Sequence, residues 1–123
     1  MTPTSALLVA LGAAVGAPLR FLVDRWARRH SRAGTTLGTL VVNITGSFVL
    51  GVVAGLPHAP DWLMPLVGLG FCGALTTFST LAFETWVFLE RQEWKPFAAT
   101  LVLSLGLGVP AVWLGWSLAS LTG

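Results

Sequence analysis

The sequence has few charges, one cysteine and no tyrosine, and the first two shortages each exclude a class of protein. Only 10% of its 123 residues are charged, whereas 54% are hydrophobic, and the mean hydropathy is +0.79. A soluble domain of this size needs more polar surface, so the composition indicates an integral membrane protein. The single cysteine, Cys72, excludes an intrachain disulfide and a thiolate metal cluster within one protomer.

Four apolar stretches are long enough to cross a bilayer, which takes about 20 helical residues. They cover approximately residues 5–23, 36–56, 62–89 and 97–121. We therefore predict an all-α integral membrane fold, with residues 1–123 forming one four-helix transmembrane domain. Little chain remains for a catalytic or nucleic-acid-binding domain, and no metal-ligand, phosphate-loop or nucleophile motif is present, so we expect neither an enzyme nor a nucleic-acid partner.

Basic residues are absent from the second loop and from both termini. Six of the seven Lys and Arg residues lie in the first loop, residues 24–35, or in the third, residues 90–96. By the positive-inside rule these two loops are predicted to be cytoplasmic and both termini to lie outside. Four tryptophans fall near predicted span ends, where indoles typically anchor at the interface: Trp26, Trp62, Trp94 and Trp116.

Small residues four positions apart predict faces where helix backbones approach closely in lipid. The alternative for any single pair is that glycine is simply common in membrane helices. The pairs are Gly12 with Gly16, Gly51 with Gly55, and Ser104 with Gly108.

A polar, hydroxyl-rich octet, Gly73-Ala-Leu-Thr-Thr-Phe-Ser-Thr80, interrupts the third apolar stretch. Lipid cannot satisfy backbone N–H and C=O groups, so irregular backbone at membrane depth must be buried in protein or line a wet cavity. We predict that the third helix is broken here. Broken helices at the bilayer midplane typically hold ions or small substrates, so the octet predicts a transport site.

Asn43 lies inside the second span and shares a helical face with Thr39 and Ser47. An amide in hydrocarbon needs partners, so Asn43 is expected to face the bundle or a pore. Its role is either a helix–helix hydrogen bond or a neutral N–H donor to a dehydrated anion.

Two charged residues are also candidates. Glu84 lies within the third span, where a carboxylate is functional by default, unless it sits in a wet vestibule. Arg20 near the end of the first span either snorkels to the headgroups or acts at a pore mouth.

Phe78 and Ser104 allow similar pairs of interpretations. Phe78 either packs or turns its electropositive ring edge to an anion. Ser104 and Thr100 are one turn apart, and they either bond to their own helix or line a polar track.

Three blocks of sequence, in this order, resemble the Fluc/CrcB family of bacterial fluoride channels over nearly the whole chain. They are residues 16–20 (GAPLR), 38–43 (GTLVVN) and 70–80 (GFCGALTTFST), the last followed by Glu84. The resemblance implies an antiparallel, dual-topology-type dimer in the bacterial inner membrane, with two pores for passive fluoride efflux. Such efflux would lower cytoplasmic fluoride and give fluoride resistance.

The family's pattern assigns roles to residues of the second, third and fourth spans. It implies that Asn43 and Phe78 line the pores, with Ser104 in a polar track. It also implies a structural Na⁺ at the dimer interface, held by the backbone carbonyls of Gly73 and Thr76. The full set of candidate fluoride-pore residues is Asn43, Phe78, Ser79, Thr80, Ser104, Glu84 and Arg20.

Two positions depart from this pattern. Leu81 stands where the family usually has a second Phe, and Gly108 stands where a serine often follows Ser104. With the strong charge bias of the loops, these departures lead to the hypothesis of a heterodimer with an oppositely oriented homologue, beside the homodimer. A non-conducting partner subunit is the second reading. A small proton-coupled multidrug exporter is disfavoured, because such proteins use a carboxylate in the first helix and this span has none before Asp24.

Overall fold

The computed structural model describes residues 2–30 and 34–122, and these are helical almost throughout. Helix α1 is Pro3–His30, α2 is Gly34–Gly55, α4 is Phe78–Glu90 and α5 is Trp94–Ser120. Helix α3 is π-helical over Met64–Cys72 and α-helical over Gly73–Leu75.

Four segments of the described chain are long and apolar enough to cross a membrane, with α3 and α4 together forming the third. The prediction of an all-helical fold with four such segments is confirmed. The first of these segments is α1, near the N-terminus, and the last is α5.

The predicted bounds of all three loops need correction; the second lies between the end of α2 at Gly55 and the start of α3 at Met64. Residues 24–30 of the predicted first loop are helical, because α1 continues to His30; residues 31–33 lie outside the described part of the chain. The predicted third loop, residues 90–96, shortens to 91–93. Hydropathy marks where the hydrocarbon ends, whereas a helix continues as far as its backbone hydrogen bonds and local ion pairs support it.

Helix α1 packs its glycine face against α3. Gly12 and Gly16 are buried, and a Cβ atom added to either would strike a carbonyl oxygen, that of Leu66 or of Phe71. The predicted close approach at the Gly12–Gly16 pair is therefore confirmed.

Helix α2 packs most extensively against α5. Cβ atoms on Gly51 and Gly55 would strike the carbonyl oxygens of Val112 and Trp116, and one on Gly115 would strike that of Phe48. The prediction for the Gly51–Gly55 pair is confirmed.

The third small-residue pair does not bring backbones together. A Cβ on Gly108 would meet only the Ser47 hydroxyl, at 3.9 Å, an ordinary contact. The prediction of close backbone approach at Ser104–Gly108 is therefore wrong.

Much of the outer surface is apolar. Helix α4 has few contacts with the other helices, and it presents Phe78, Phe83 and Trp86 as exposed side chains. The four tryptophans predicted at span ends are each about half exposed. The bundle therefore leaves large apolar faces for lipid or for another chain.

Candidate functional site

Two extended residues separate α3 from α4 within the third span. Helix α3 ends at Leu75 and α4 begins at Phe78. Between them Thr76 has φ −80° and ψ 157°, and Thr77 has φ −148° and ψ 118°. The Thr76 N–H still donates to the Cys72 carbonyl at 2.9 Å, but the next N–H does not continue the ladder.

Asn43 on α2 satisfies both backbone groups of Thr77. Its Oδ1 accepts from the Thr77 N–H at 2.8 Å, and its Nδ2 donates to the Thr77 carbonyl at 3.2 Å. Thr77 is buried, so without this amide its peptide groups would be stranded away from water. Of the two roles open to Asn43 from sequence, the structure shows the interhelical hydrogen bonds, which leave its second N–H available.

The same contact leaves the Gly73 carbonyl without its helical donor. In a continuous α-helix the Thr77 N–H would donate to Gly73, but here it donates to Asn43. Gly73 is exposed, and a Cβ placed on it would meet nothing within 4 Å. The carboxyl end of α3 therefore presents open carbonyl oxygens, at the negative end of the helix dipole.

The start of α4 is fixed by a hydroxyl cap. The Thr77 Oγ1 accepts from the Thr80 N–H at 3.1 Å and donates to the Thr80 hydroxyl at 3.1 Å. The Ser79 hydroxyl lies 3.3 Å away. Threonine is a preferred N-cap because its oxygen satisfies one of the orphan N–H groups of the first turn. The hydroxyl-rich sequence therefore encodes the restart of the helix.

A cavity of about 660 Å³ opens beside this interruption, between α2, α3, α4 and α5. It brings together five of the residues singled out from sequence: Asn43, Gly73, Thr76, Phe78 and Ser104. The Ser104 Oγ is buried and has no hydrogen-bond partner among the described residues, so its hydroxyl can donate a hydrogen bond to a ligand.

A second cavity, of about 280 Å³, lies between α1, α2 and α4. Arg20 and Thr80 line it, together with Asp24 and Arg28. Thr77 lines both cavities. The candidate residues are therefore divided between two spaces that meet at the extended residues.

Glu84 and Ser79 lie outside the lining of both cavities. Glu84 is buried in α4, and neither carboxylate oxygen has a hydrogen-bond partner within the described residues. Thr39 and Asp24 are its polar neighbours. Ser79 is exposed at the first turn of α4.

A third cavity, of about 440 Å³, extends between α2, α4 and α5. Leu81 and Ser104 line both this cavity and the one of 660 Å³, whereas Thr100 lines the third cavity alone. Ser104 and Thr100 of α5 therefore line interhelical cavities, and the polar track stays a prediction.

Sequence reasoning did not single out Thr77, the residue that joins the two sides of the site. Its signal was present: a threonine directly before an apolar helical segment is typical of an N-cap. No group of three or more His, Cys, Asp or Glu side chains that could hold a metal occurs in the described chain.

Comparisons with known proteins agree over most of the chain. The family model described as CrcB-like protein, Camphor Resistance (CrcB), matches residues 7–116. A protein of Geobacillus kaustophilus named fluoride-specific ion channel FluC 1 is 46% identical over 110 residues, 89% of this chain and 93% of that protein.

Two further relatives carry similar names. The fluoride-specific ion channel FluC of Shewanella sp. (strain W3-18-1) is 41% identical over 118 residues, 94% of this chain and 95% of its own. The FluC 1 protein of Nocardia farcinica is 42% identical over 113 residues, 92% of this chain and 79% of its own. With a family model matching all four membrane-spanning segments and relatives this similar, the chain belongs to the CrcB family.

Proposed function

We propose that this chain is a subunit of a fluoride-selective ion channel, through which fluoride leaves the cell passively and fluoride resistance follows. The observation that carries this is the 41–46% identity, over 89–94% of the chain, to proteins named fluoride-specific ion channels. These names describe channels and not enzymes, which agrees with the expectation from sequence. Four apolar helices and these relatives make the chain a multi-pass membrane protein.

The cavity beside the interrupted span supplies groups suited to a dehydrated anion. Asn43, Phe78 and Ser104 line it. Asn43 has a second N–H beyond the one that bonds Thr77, and the Ser104 hydroxyl has no hydrogen-bond partner among the described residues. A ring edge carries partial positive charge, so these three side chains offer donors without a full counter-charge that would trap the ion. For fluoride to pass down its gradient, binding must be strong enough to replace the ion's hydrating water and weak enough to let the ion leave.

The remaining pore candidates act around this cavity. Arg20 and Thr80 line the second cavity, on the other side of Thr77, and would draw the anion toward the interruption. Glu84 and Ser79 would contribute indirectly, through neighbouring hydroxyl groups. Thr39 is the neighbour of Glu84, and Thr77 is the neighbour of Ser79.

We further propose that two subunits assemble in antiparallel orientation around the interruption, which would then be the broken helix of each. Gly73 is open to approach, Phe78 is 82% exposed, and α4 is only lightly packed. Unsatisfied backbone carbonyls are poorly suited to lipid, so we infer that a second subunit covers this surface.

A structural Na⁺ between the subunits fits the open carbonyls. Gly73 and Thr76 belong to the end of α3, where Asn43 has removed the helical donor of the first. Unwound carbonyls at the end of a half-helix are a common Na⁺ ligand set. Two carbonyls from each of two subunits would supply four ligands, and the ion would place positive potential beside the anion path.

The orientation that we propose has both termini outside and residues 24–35 and 90–96 at the cytoplasmic side of the inner membrane. The support is the basic bias of these segments. In the structure the α2 residue Thr36 and the α4–α5 residues Glu93 and Pro96 line one cavity, so the two basic segments lie at the same end of the bundle.

The partner subunit is either a second copy, inserted in the inverted orientation against this charge bias, or an oppositely oriented homologue. Leu81 lines the same cavity as Phe78 and Ser104, where it offers no donor and no ring edge. This observation favours, as the second candidate, a channel whose complete pore needs residues from another chain, or a subunit that does not conduct by itself. Comparing the natural sequence with Leu81→Phe, each expressed alone and with a homologue, separates the cases. A homodimeric channel conducts fluoride without the substitution and without the homologue.

Growth of a fluoride-sensitive bacterial strain tests the proposed function. Expression of this chain should permit growth at fluoride concentrations that stop the parent strain. The matched control is Asn43→Asp, present in the membrane at equal amount, which should not protect. Absence of protection by the natural sequence, alone and with a co-expressed homologue, would contradict a role in fluoride export.

A further inference from the structure

The outward face of α1 near its C-terminus carries a compact group of exposed residues. The buried residues of α1 are Gly12, Gly16 and Ala27, and at 3.6 residues per turn they share one side of the helix. Leu22, Arg25 and Arg29 lie on the opposite half and Trp26 lies on the flank beside them, and all four are exposed. The four residues form one continuous stripe along the helix.

The length of α1 places these residues at headgroup depth. Its 28 residues make a helix of about 42 Å at about 1.5 Å per residue, whereas the hydrocarbon core is about 30 Å thick. The excess of about 12 Å corresponds to the last two turns, because the charged residues of α1 after Arg20 are confined to Asp24–His30. Leu22 then lies at the upper edge of the hydrocarbon.

The arginines of these turns differ in their partners. Arg28 pairs with Asp24 at 3.2 Å on the flank of the helix. Arg25 and Arg29 are one turn apart on the outward face, and no ion pair to either is found among the described residues. Residues at this spacing place their Cβ atoms about 5–6 Å apart, so both guanidinium groups can meet one ligand.

Trp26 is held in place beside them. The His30 ring stacks on the indole, with ring centroids 5.3 Å apart and an interplanar angle of 22°. The His30 Nδ1 lies 2.9 Å from the Trp26 carbonyl oxygen, which only accepts, so Nδ1 is the donor. An indole held at the membrane interface therefore places an amphipathic ring beside two positively charged guanidinium groups.

We propose that Arg25, Trp26 and Arg29 bind the phosphate headgroup of an anionic phospholipid, with an acyl chain along Leu22. The planar fork of each guanidinium matches phosphate oxygens, and the negative headgroup complements two arginines without a carboxylate partner. Contact with Leu22, 56% exposed below the arginines, distinguishes a lipid from free inorganic phosphate. The inference is independent of the proposed fluoride transport.

Lipid retention in native mass spectrometry tests this site on the full chain in detergent with added phosphatidylglycerol or phosphatidylcholine. Arg25→Gln/Arg29→Gln is compared with Arg91→Gln/Lys95→Gln, which removes the same charge from the other basic segment. Because a hydrogen bond to a charged group contributes at least about tenfold to binding, the first variant should bind phosphatidylglycerol at least about tenfold more weakly. The control and phosphatidylcholine binding should change less than about threefold.

Three results would overturn the proposal. The first is equal phosphatidylglycerol binding by Arg25→Gln/Arg29→Gln and the natural sequence. The second is an equal loss in the control variant, which would indicate general attraction to positive charge. The third is displacement of the lipid by millimolar inorganic phosphate, which would identify the free anion as the ligand. Unchanged melting temperature of each variant confirms that the comparison is made on folded protein.

Discussion

At the scale of single residues, Asn43 has the largest structural consequence. Its two hydrogen bonds hold Thr77 in an extended conformation and release the Gly73 carbonyl. Its position in the second span was predictable, because an amide in hydrocarbon needs partners. Its partner was not predictable, because hydropathy and spacing do not state which backbone groups a neighbouring helix leaves unsatisfied.

Two substitutions separate the structural and the transport roles of Asn43. Asn43→Ala removes both bonds and strands two backbone groups of buried Thr77, at about 1–3 kcal/mol for each. Asn43→Asp retains an acceptor for the Thr77 N–H but places a negative charge beside the anion path. At a separation of 4 Å this repulsion is about 4 kcal/mol with an effective dielectric constant of 20.

We therefore expect Asn43→Ala to lower the thermal stability most, and Asn43→Asp to reduce fluoride flux by at least tenfold while remaining more stable than Asn43→Ala. Flux and melting temperature are measured on the same preparations. Undiminished flux in folded Asn43→Asp would remove this residue from the pore.

At the scale of helices, the glycine faces determine which pairs approach closely. The α1–α3 and α2–α5 contacts follow two small-residue patterns visible in the sequence, whereas Ser104–Gly108 does not make such a contact. The spacing of small residues alone could not distinguish these pairs, because it does not show which residues of another helix lie opposite them. The end of α1 at His30 was missed for a related reason, since hydropathy reports the hydrocarbon and not the helix.

Two identical substitutions on α5 test the packing. Gly115→Ala places a Cβ against the Phe48 carbonyl, and Gly106→Ala places one where nothing lies within 4 Å. We expect overpacking to destabilise the first by about 1–3 kcal/mol, and the second to be neutral or stabilised by up to about 1 kcal/mol. Thermal unfolding followed by tryptophan fluorescence measures both, and equal melting temperatures would contradict the packing of α2 on α5.

At the scale of the whole molecule, a single protomer leaves its most characteristic features uncovered. Phe78 is 82% exposed, and a Cβ atom added to Gly73 near the end of α3 would meet no atom of the described residues within 4 Å, its own helix backbone aside. The four-helix architecture followed from composition and from the length of the apolar stretches. The assembly cannot be read in the same way, because the pairing of two subunits depends on surfaces whose complement lies in another chain.

Gly73→Val tests assembly at this surface. Within the protomer the new side chain meets no atom within 4 Å of its Cβ, so the helices should remain folded. In the proposed dimer it would lie beside the carbonyls that hold Na⁺, so we expect monomers by size-exclusion chromatography with light scattering. Replacing Na⁺ by a large organic cation should likewise weaken the dimer of the natural sequence. A stable, Na⁺-responsive Gly73→Val dimer would contradict this arrangement.

Fluoride efflux from liposomes that contain only the purified chain, followed with a fluoride electrode, is the most direct test of the proposed channel. We predict rapid efflux down the fluoride gradient that is unaffected by chloride and is abolished by Asn43→Asp. No efflux from folded protein, alone and after reconstitution with a homologous subunit, would contradict a fluoride channel, and equal release of chloride would contradict fluoride selectivity.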